Sequence, residues 1–296
     1  MRTIEPEAMM ADLALPVGRR YDSDGRQLLL DRAGTGGPAV VFLPGAGMVG
    51  LDYLNVHLRI AEFTTSVIYD RAGTGWSDPA PLPRSGAEVA TELRSLLRVA
   101  DIPGPYVLAG HSLGGLYSRR FAQLFPEDVA GLLFLDPGHE DYPAHMPDEV
   151  SGNAEELDVP EPDEATVAFF RGLFESIYAA WPDDARTALV DYHVRAWRQT
   201  AEERGNLETK LYPELRDGGE MPGVPRIVLT AMGIDPLQKL FLSEEVLHKV
   251  NAVKPALYSS LGGEHRLIDG AGHSTMHADR PEAVIEAARD LVLTST

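Results

Sequence analysis

The stretch Tyr106–Phe125, YVLAGHSLGGLYSRRFAQLF, places a serine between an apolar run and an amphipathic segment. The run YVLAG predicts a buried strand, and LYSRRFAQLF predicts a helix. Ser112 then lies on a tight turn, where Gly110 and Gly114 avoid the clash that a Cβ would make. The helix begins directly after Ser112, so its unpaired N–H groups and partial positive charge face that hydroxyl. We therefore predict that Ser112 is a nucleophile and that the N–H of Leu113 stabilises negative charge beside it.

The rest of the chain alternates apolar runs of strand length with amphipathic segments of helical length. Several runs, such as AVVFL and GLLFLD, are continuously apolar, which is typical of strands covered on both faces. This order predicts an α/β fold with a mostly parallel sheet. The predicted strands are Gln27–Arg32, Ala39–Leu43, Thr65–Tyr69, Tyr106–Gly110, Val129–Leu135, Pro225–Thr230 and Glu264–Ile268. The predicted helices are Leu51–Ala61, Glu88–Ala100, Leu113–Phe125, most of Leu237–Leu261, and Pro281–Leu293.

The alternation is interrupted after Asp136. Residues 137–222 contain no strand-like run, but they contain helical patterns rich in acidic and aromatic side chains. We therefore predict one α/β domain, formed by residues 1–136 and 223–296, with a helical insertion at 137–222.

The composition narrows the classes of function. The 296 residues include 45 acidic and 26 basic side chains, a formal net charge of −19, and no cysteine. The negative charge disfavours nucleic acid and anionic lipid as partners, because both would be repelled. Without cysteine there is no disulfide, no thiolate nucleophile and no cysteine-ligated metal. No apolar stretch approaches the roughly eighteen residues of a membrane span, and the N-terminal residues do not resemble a signal peptide. We expect a cytoplasmic protein acting on a small molecule, and its oligomeric state stays open.

Together with three further motifs, GHSLGG resembles the α/β-hydrolase superfamily, in the branch of capped esterases, lipases, aminopeptidases and lactonases. The loop Leu43–Met48, LPGAGM, is similar to the family's His-Gly-x loop, which implies that the Ala46 N–H is a second oxyanion donor. Pro44 stands where a histidine is common, but a backbone donor does not depend on that side chain. The stretch Asp70–Asp78, DRAGTGWSD, resembles the family's D-x-x-G-x-G-x-S loop, for which we expect a structural role.

The remaining motif, Gly270–Ser274, resembles the G-x-G-H sequence near the end of such chains. The resemblance implies that His273 is the general base, with His277 as the second candidate. A Ser–His pair also needs a carboxylate that orients the imidazole. Two aspartates qualify: Asp235 follows the strand RIVLT, and Asp136 ends the strand GLLFL. We favour Asp235 narrowly, because it is closer to the usual place in the family, and keep Asp136 as the alternative.

The resemblance also implies an eight-stranded sheet flanked by helices, with residues 137–222 forming a helical cap after the sixth strand. Such a cap covers the nucleophile and excludes water. Trp181, Tyr192 and Trp197 are the cap residues that we expect first to contact substrate, although packing of the cap onto the core is the competing interpretation. The chemistry requires no metal and no organic cofactor.

We therefore predict a serine hydrolase that cleaves a carboxylic ester, lactone or thioester through an acyl-enzyme. The alternatives are a proline-type aminopeptidase, a non-hydrolytic tailoring enzyme of secondary metabolism, and a ligand-binding receptor with the same fold. Epoxide hydrolase and haloalkane dehalogenase chemistry is disfavoured, because it needs a carboxylate where this chain has Ser112.

Overall fold

Eight strands form one sheet in the computed structural model, which describes residues 15–151 and 161–295. The strands are β1 (Arg19–Ser23), β2 (Arg26–Ala33), β3 (Val40–Leu43), β4 (Ser66–Tyr69), β5 (Tyr106–His111), β6 (Val129–Leu135), β7 (Arg226–Ala231) and β8 (Glu264–Ile268). Their order across the sheet is β1-β2-β4-β3-β5-β6-β7-β8. Strands β3 to β8 are mutually parallel, and β1 and β2 pair antiparallel at one edge. The predicted eight-stranded, mostly parallel sheet is confirmed.

Strand β1, at the edge of the sheet, is not among the seven strands whose ranges the sequence predicts. Its sequence, RRYDS, lacks the apolar alternation that reveals a half-buried strand. It forms because Asp24 and Gly25 both adopt positive φ, 53° and 85°, and turn the chain back into a hairpin with β2.

Helices cover both faces of the sheet, which explains why its central strands are continuously apolar. The helices before the insertion are α1 (Leu54–Ile60), α2 (Gly86–Val99) and α3 (Leu113–Leu124). Those after it are α10 (Glu244–Tyr258), α11 (Met276–Asp279) and α12 (Pro281–Thr294). Apolar residues of α2, α3 and α10 form one core cluster, and those of α1 and α12 form a second. None of the helices in the described residues is long and apolar enough to cross a membrane.

Helices also occupy the described part of residues 137–222, between β6 and β7. They are α4 (Tyr142–His145), α5 (Asp148–Ser151), α6 (Glu164–Ile177), α7 (Asp183–Arg195), α8 (Gln199–Arg204) and α9 (Tyr212–Asp217), with a π-helical turn at Leu207–Leu211. We call the described residues of this range, 137–151 and 161–222, the helical segment. Residues 152–160 of the predicted cap, and residues 1–14 of the predicted core, lie outside the described residues.

The turn that joins β5 to α3 holds Ser112 in a strained conformation, with φ 50° and ψ −117°. The close packing of the neighbouring backbone maintains it. A Cβ on Gly114 would lie 1.9 Å from the carbonyl oxygen of Leu43, at the end of β3. A Cβ on Gly110 would lie 2.6 Å from the carbonyl oxygen of Gly114. The strand ends and the first turn of α3 are therefore in backbone contact around Ser112.

Replacing Gly114 tests this contact. Gly114→Ala should lower the free energy of unfolding by about 2 kcal/mol or more, because the added methyl group meets backbone that cannot move aside cheaply. Gly172→Ala is the matched control, since Gly172 lies inside α6 and no atom of residues 15–151 or 161–295 comes within 4 Å of an added Cβ there. That variant should gain about 0.5–1 kcal/mol, since alanine is the better helix former. Urea unfolding measures both, and equal stabilities of the two variants would contradict the packing argument.

Candidate active site

The side chains of Ser112, His273 and Asp136 form a continuous hydrogen-bonded chain at the carboxyl edge of the sheet. The Oγ atom of Ser112 lies 3.0 Å from Nε2 of His273, and Nδ1 of His273 lies 2.6 Å from Oδ2 of Asp136. Because the carboxyl ends of parallel strands meet at one edge, the ends of β5 and β6 and the loop after β8 come together there. The carboxylate only accepts, so Nδ1 carries the proton and Nε2 is free to accept from the Ser112 hydroxyl.

Asp136 is fully buried, and among the described residues three hydrogen-bond donors contact its carboxylate, one of which is His273 Nδ1. Oδ1 accepts from the backbone N–H of Ala231 at 3.0 Å, and Oδ2 also accepts from Nζ of Lys254 at 2.8 Å. Burial by itself would raise the pKa of Asp136, but the Lys254 ammonium and His273 hold that pKa well below its usual range. The carboxyl group is therefore ionised at neutral pH. Lys254 is itself buried, on α10, and also lies 3.3 Å from the carbonyl oxygen of Ala231.

The carboxylate against the imidazole is thus Asp136, whereas the sequence narrowly favoured Asp235. Asp235 is buried too, but backbone N–H groups occupy both of its oxygens. Oδ1 accepts from Leu237 and Gln238, which begin the turn after it, and Oδ2 accepts from Ser274. Asp235 therefore ties its own turn to the loop that carries His273, as expected of an Asp-Pro turn whose aspartate caps the following N–H groups.

His277, the second candidate for the base, lies in the interior against the rings of Tyr53 and Trp181. Its Nε2 has no hydrogen-bond partner among residues 15–151 and 161–295. Burial lowers the pKa of His277 to about 4, so the ring is neutral at neutral pH. The imidazole that contacts the Ser112 hydroxyl is that of His273.

His111, the residue before Ser112, connects the loops on either side of the site. Its Nε2 lies 2.7 Å from the carbonyl oxygen of His273, and its Nδ1 lies 2.7 Å from the hydroxyl of Tyr53. Burial lowers the pKa of His111 to about 3, so the ring carries one proton. A carbonyl only accepts, so that proton is on Nε2, and Nδ1 accepts from Tyr53. His111 thereby holds the backbone of His273, a contact that the motif GHSLGG did not reveal.

The two predicted oxyanion donors lie beside Ser112. Leu113 is the first residue of α3, so its N–H has no partner within the helix. Gly45 brings the other loop close, since a Cβ on Gly45 would lie 3.4 Å from Cβ of Ser112. In the part of the chain that the structure describes, the N–H groups of Leu113 and Ala46 donate no hydrogen bond. Both are therefore available to an incoming oxygen.

The three aromatic residues expected to contact substrate differ in exposure. Trp181 is buried, and its indole N–H donates to the carbonyl oxygen of Leu51 at 3.0 Å. Tyr192 is fully buried, with its ring 5.7 Å from that of Trp76. Both residues pack the helical segment onto the core. Trp197 is half-buried, with the guanidinium of Arg198 over its ring.

The sequence interpretation missed Lys254 as well as His111. A weak signal exists for the lysine, because it interrupts an apolar face of its helix in the stretch VNAVKPALY. A lysine in such a place is normally paired with an acid. The identity of that acid depends on which strand end lies beneath the helix, which only the fold reveals.

Comparison with known proteins agrees with the fold. A sequence model of the Alpha/beta hydrolase family matches residues 40–287. An uncharacterized protein of Mycobacterium tuberculosis is 35% identical over 102 residues, which are 34% of this chain and 30% of that protein. The chain therefore aligns with less than a third of that relative's length.

Solved structures share the fold over nearly the whole chain. Est816, described as an N-acyl homoserine lactone degrading enzyme, has a TM-score of 0.62 and 21% identity, covering 92% of this chain and 99% of its own. A thermophilic esterase from Thermogutta terrifontis has a TM-score of 0.60 and 19% identity, covering 93% and 97%. At these identities the two structures establish the fold alone. The family model, which spans far more than half of the 296 residues, establishes more: this chain belongs to the Alpha/beta hydrolase family.

Proposed function

We propose that this chain is a serine hydrolase that cleaves an ester-like bond of a small molecule, a carboxylic ester, lactone or thioester, through an acyl-enzyme on Ser112. The observation that carries the proposal is the 3.0 Å contact between Ser112 Oγ and His273 Nε2, beside two N–H groups that donate to nothing among the described residues. A nucleophile, a base with an orienting carboxylate and an oxyanion site are the parts that acyl transfer requires.

In the first step, His273 Nε2 takes the proton of Ser112 as Oγ attacks the carbonyl carbon. The carbonyl oxygen becomes an anion that accepts hydrogen bonds from the N–H groups of Leu113 and Ala46. His273, now an imidazolium stabilised by Asp136, gives its proton to the leaving group as the acyl-enzyme forms. Water then attacks the carbonyl carbon of the acyl-enzyme while His273 takes its proton. The bond to Ser112 Oγ breaks, His273 returns the proton to Oγ, and the carboxylic acid is released.

We assign the helical segment the role of a cap over this site. Its helix α8 reaches the loop of Ala46, since a Cβ on Gly47 would lie 2.1 Å from Oγ1 of Thr200. Of the three aromatic residues expected to contact substrate, Trp197 is the one with a partly exposed ring, two residues before α8. We therefore assign substrate contact to Trp197 and packing to Trp181 and Tyr192.

Replacing the nucleophile is the first test. Ser112→Ala should lower kcat for p-nitrophenyl esters by several orders of magnitude, about 10³-fold or more, because the covalent path is lost. The thermal midpoint should change little, because Ser112 is only half-buried and alanine differs from it by the hydroxyl alone. A panel of acyl chain lengths, lactones and thioesters on the wild type then defines the substrate class. Turnover that survives in Ser112→Ala would refute the proposal.

The two aspartates give a second, paired test. Asp136→Asn should lower kcat by about 10⁴-fold, because an amide favours the wrong imidazole tautomer. Asp235→Asn should cost only about tenfold, through a displaced His273 loop. Steady-state kinetics on one activated ester compares them directly. A larger loss in Asp235→Asn than in Asp136→Asn would overturn the assignment of the acid.

Lys254 gives a pH-dependent test. In Lys254→Met the ammonium beside Asp136 is absent, so the pKa of Asp136 rises. A protonated Asp136 no longer holds the His273 ring in the tautomer that accepts from Ser112, so that state is inactive. The pH below which kcat/KM falls should therefore move upward relative to wild type.

The matched control for this test is Lys249→Met, because Lys249 lies on the same helix but is exposed, with Glu149 and Glu245 as its partners. That variant should keep the wild-type pH profile. An acidic limb that is unchanged in Lys254→Met, or that moves to lower pH, would contradict the role assigned to Lys254.

A further inference from the structure

A buried ion pair between Glu203 and Arg71 links the helical segment to the loop that carries Ala46. Neither residue belongs to the hydrogen-bonded chain of Ser112, His273 and Asp136. Glu203, on α8, and Arg71, just after β4, have side chains that are 2% and 1% exposed. Oε1 of Glu203 accepts from Nη2 of Arg71 at 2.7 Å and from Nε at 3.0 Å. Removing both charges from water costs free energy. The contribution of the pair to the structure therefore depends on the other hydrogen bonds that the two side chains make.

Those remaining hydrogen bonds all go to residues 44–48, which we call the oxyanion loop. Nη1 of Arg71 donates to the carbonyl oxygen of Pro44 at 2.7 Å, and Nη2 donates to that of Gly45 at 2.9 Å. On the other side, Oε2 of Glu203 accepts from the N–H of Gly47 at 2.7 Å. The ion pair therefore holds three of the backbone groups of a five-residue loop.

The other donors of the oxyanion loop are also engaged, with one exception. The N–H of Gly45 donates to the Tyr53 hydroxyl at 3.4 Å, and the N–H of Met48 donates to the carbonyl oxygen of Gly45 at 3.2 Å. Pro44 has no N–H. Among the partners that the structure describes, the N–H of Ala46 is the donor of this loop that remains unpaired.

The direction of the Ala46 N–H follows from the geometry of the peptide bond. In a trans peptide the carbonyl of one residue and the N–H of the next point in opposite directions. Because Arg71 holds the carbonyl oxygen of Gly45, the N–H of Ala46 is turned away from the guanidinium. Gly45 itself lies against Ser112, since a Cβ on Gly45 would lie 3.4 Å from Cβ of Ser112, so the free donor of the next residue belongs to a loop that borders the nucleophile.

We propose that Glu203 and Arg71 are positioning residues that hold the Ala46 N–H toward Ser112, so that the oxyanion site is complete only while α8 is seated on the oxyanion loop. This inference rests on the proposed function, because it concerns the oxyanion of that reaction. It makes α8 a support of the oxyanion site, in addition to the cover that we assign to the helical segment. Removal of α8 would release Gly47 and leave Arg71 unpaired beside Pro44 and Gly45.

The first measurement is on Glu203→Gln. The amide is neutral, so it does not balance the positive charge of Arg71. Its NH₂ group also replaces one of the two oxygens that accept hydrogen bonds from Arg71 and from the N–H of Gly47. We expect kcat for an activated ester to fall by about 10²-fold, the scale of losing one oxyanion donor, with KM changed by less than about threefold. An alkyl trifluoromethyl ketone forms an oxyanion adduct with the serine. Its inhibition constant should rise by the same factor by which kcat/KM falls.

A double variant separates positioning from simple stabilisation. Arg71→Met with Glu203→Leu removes both buried charges, so the thermal midpoint should recover relative to Glu203→Gln. The carbonyl oxygens of Pro44 and Gly45 lose the Arg71 donors, and the N–H of Gly47 loses its acceptor, so kcat should stay low. Recovery of kcat together with the thermal midpoint would show that the pair acts only through stability, and would overturn the inference.

Glu140→Gln is the matched control, because Glu140 forms a bidentate, nearly buried pair with Arg119 of α3 and does not contact the oxyanion loop. It should lower the thermal midpoint and leave kcat unchanged. Wild-type turnover that does not depend on Ser112 would refute the proposed function and this inference with it. Ser112-dependent turnover that is unimpaired in Glu203→Gln would refute this inference alone.

Discussion

Ser112 adopts a positive φ because three backbone segments converge on it, and the rest of the site depends on that convergence. The end of β3 lies against Gly114, the first turn of α3 lies against Gly110, and the N–H of Ser112 donates to the carbonyl oxygen of Leu135 in β6. Strain of this kind persists only where surrounding structure enforces it. The same convergence points the hydroxyl out of the sheet edge, where the loops after β3, β6 and β8 supply the other groups.

Two buried ion pairs organise the two halves of the proposed chemistry. Lys254 pairs with Asp136, whose carboxylate meets the His273 imidazole, and Glu203 pairs with Arg71, which donates to the carbonyl oxygens of Pro44 and Gly45. In each pair one partner comes from a helix, α10 in the first and α8 in the second. Burying charge is expensive, so the main contribution of each pair is the geometry that its hydrogen bonds impose. The neutral ring of His111 completes the arrangement by linking the Tyr53 hydroxyl to the backbone of His273.

Periodicity in the sequence identified the buried strands, because a strand covered on both faces is continuously apolar and bounded by turns. It did not identify β1, whose side chains are mostly polar and whose hairpin depends on the positive φ of Asp24 and Gly25. The aromatic residues of the helical segment were recognised, but composition does not say which ring faces a substrate and which faces the core. Trp181 and Tyr192 are buried in packing contacts, and only the assembled layers place them there.

The sequence by itself determined the nucleophile, the base and the two backbone donors as candidates, because a strand–turn–helix motif and its glycines are local features. The tertiary structure decided which aspartate meets the imidazole. Asp136 and Asp235 both follow strands, and they differ only in what surrounds them after folding: Lys254 and His273 for the first, and turn N–H groups for the second. The contact of Glu203 with Arg71 was likewise beyond the sequence, since 132 residues separate them. The packing of the layers determines which residues far apart in the chain become hydrogen-bond partners. Local sequence patterns do not contain that information.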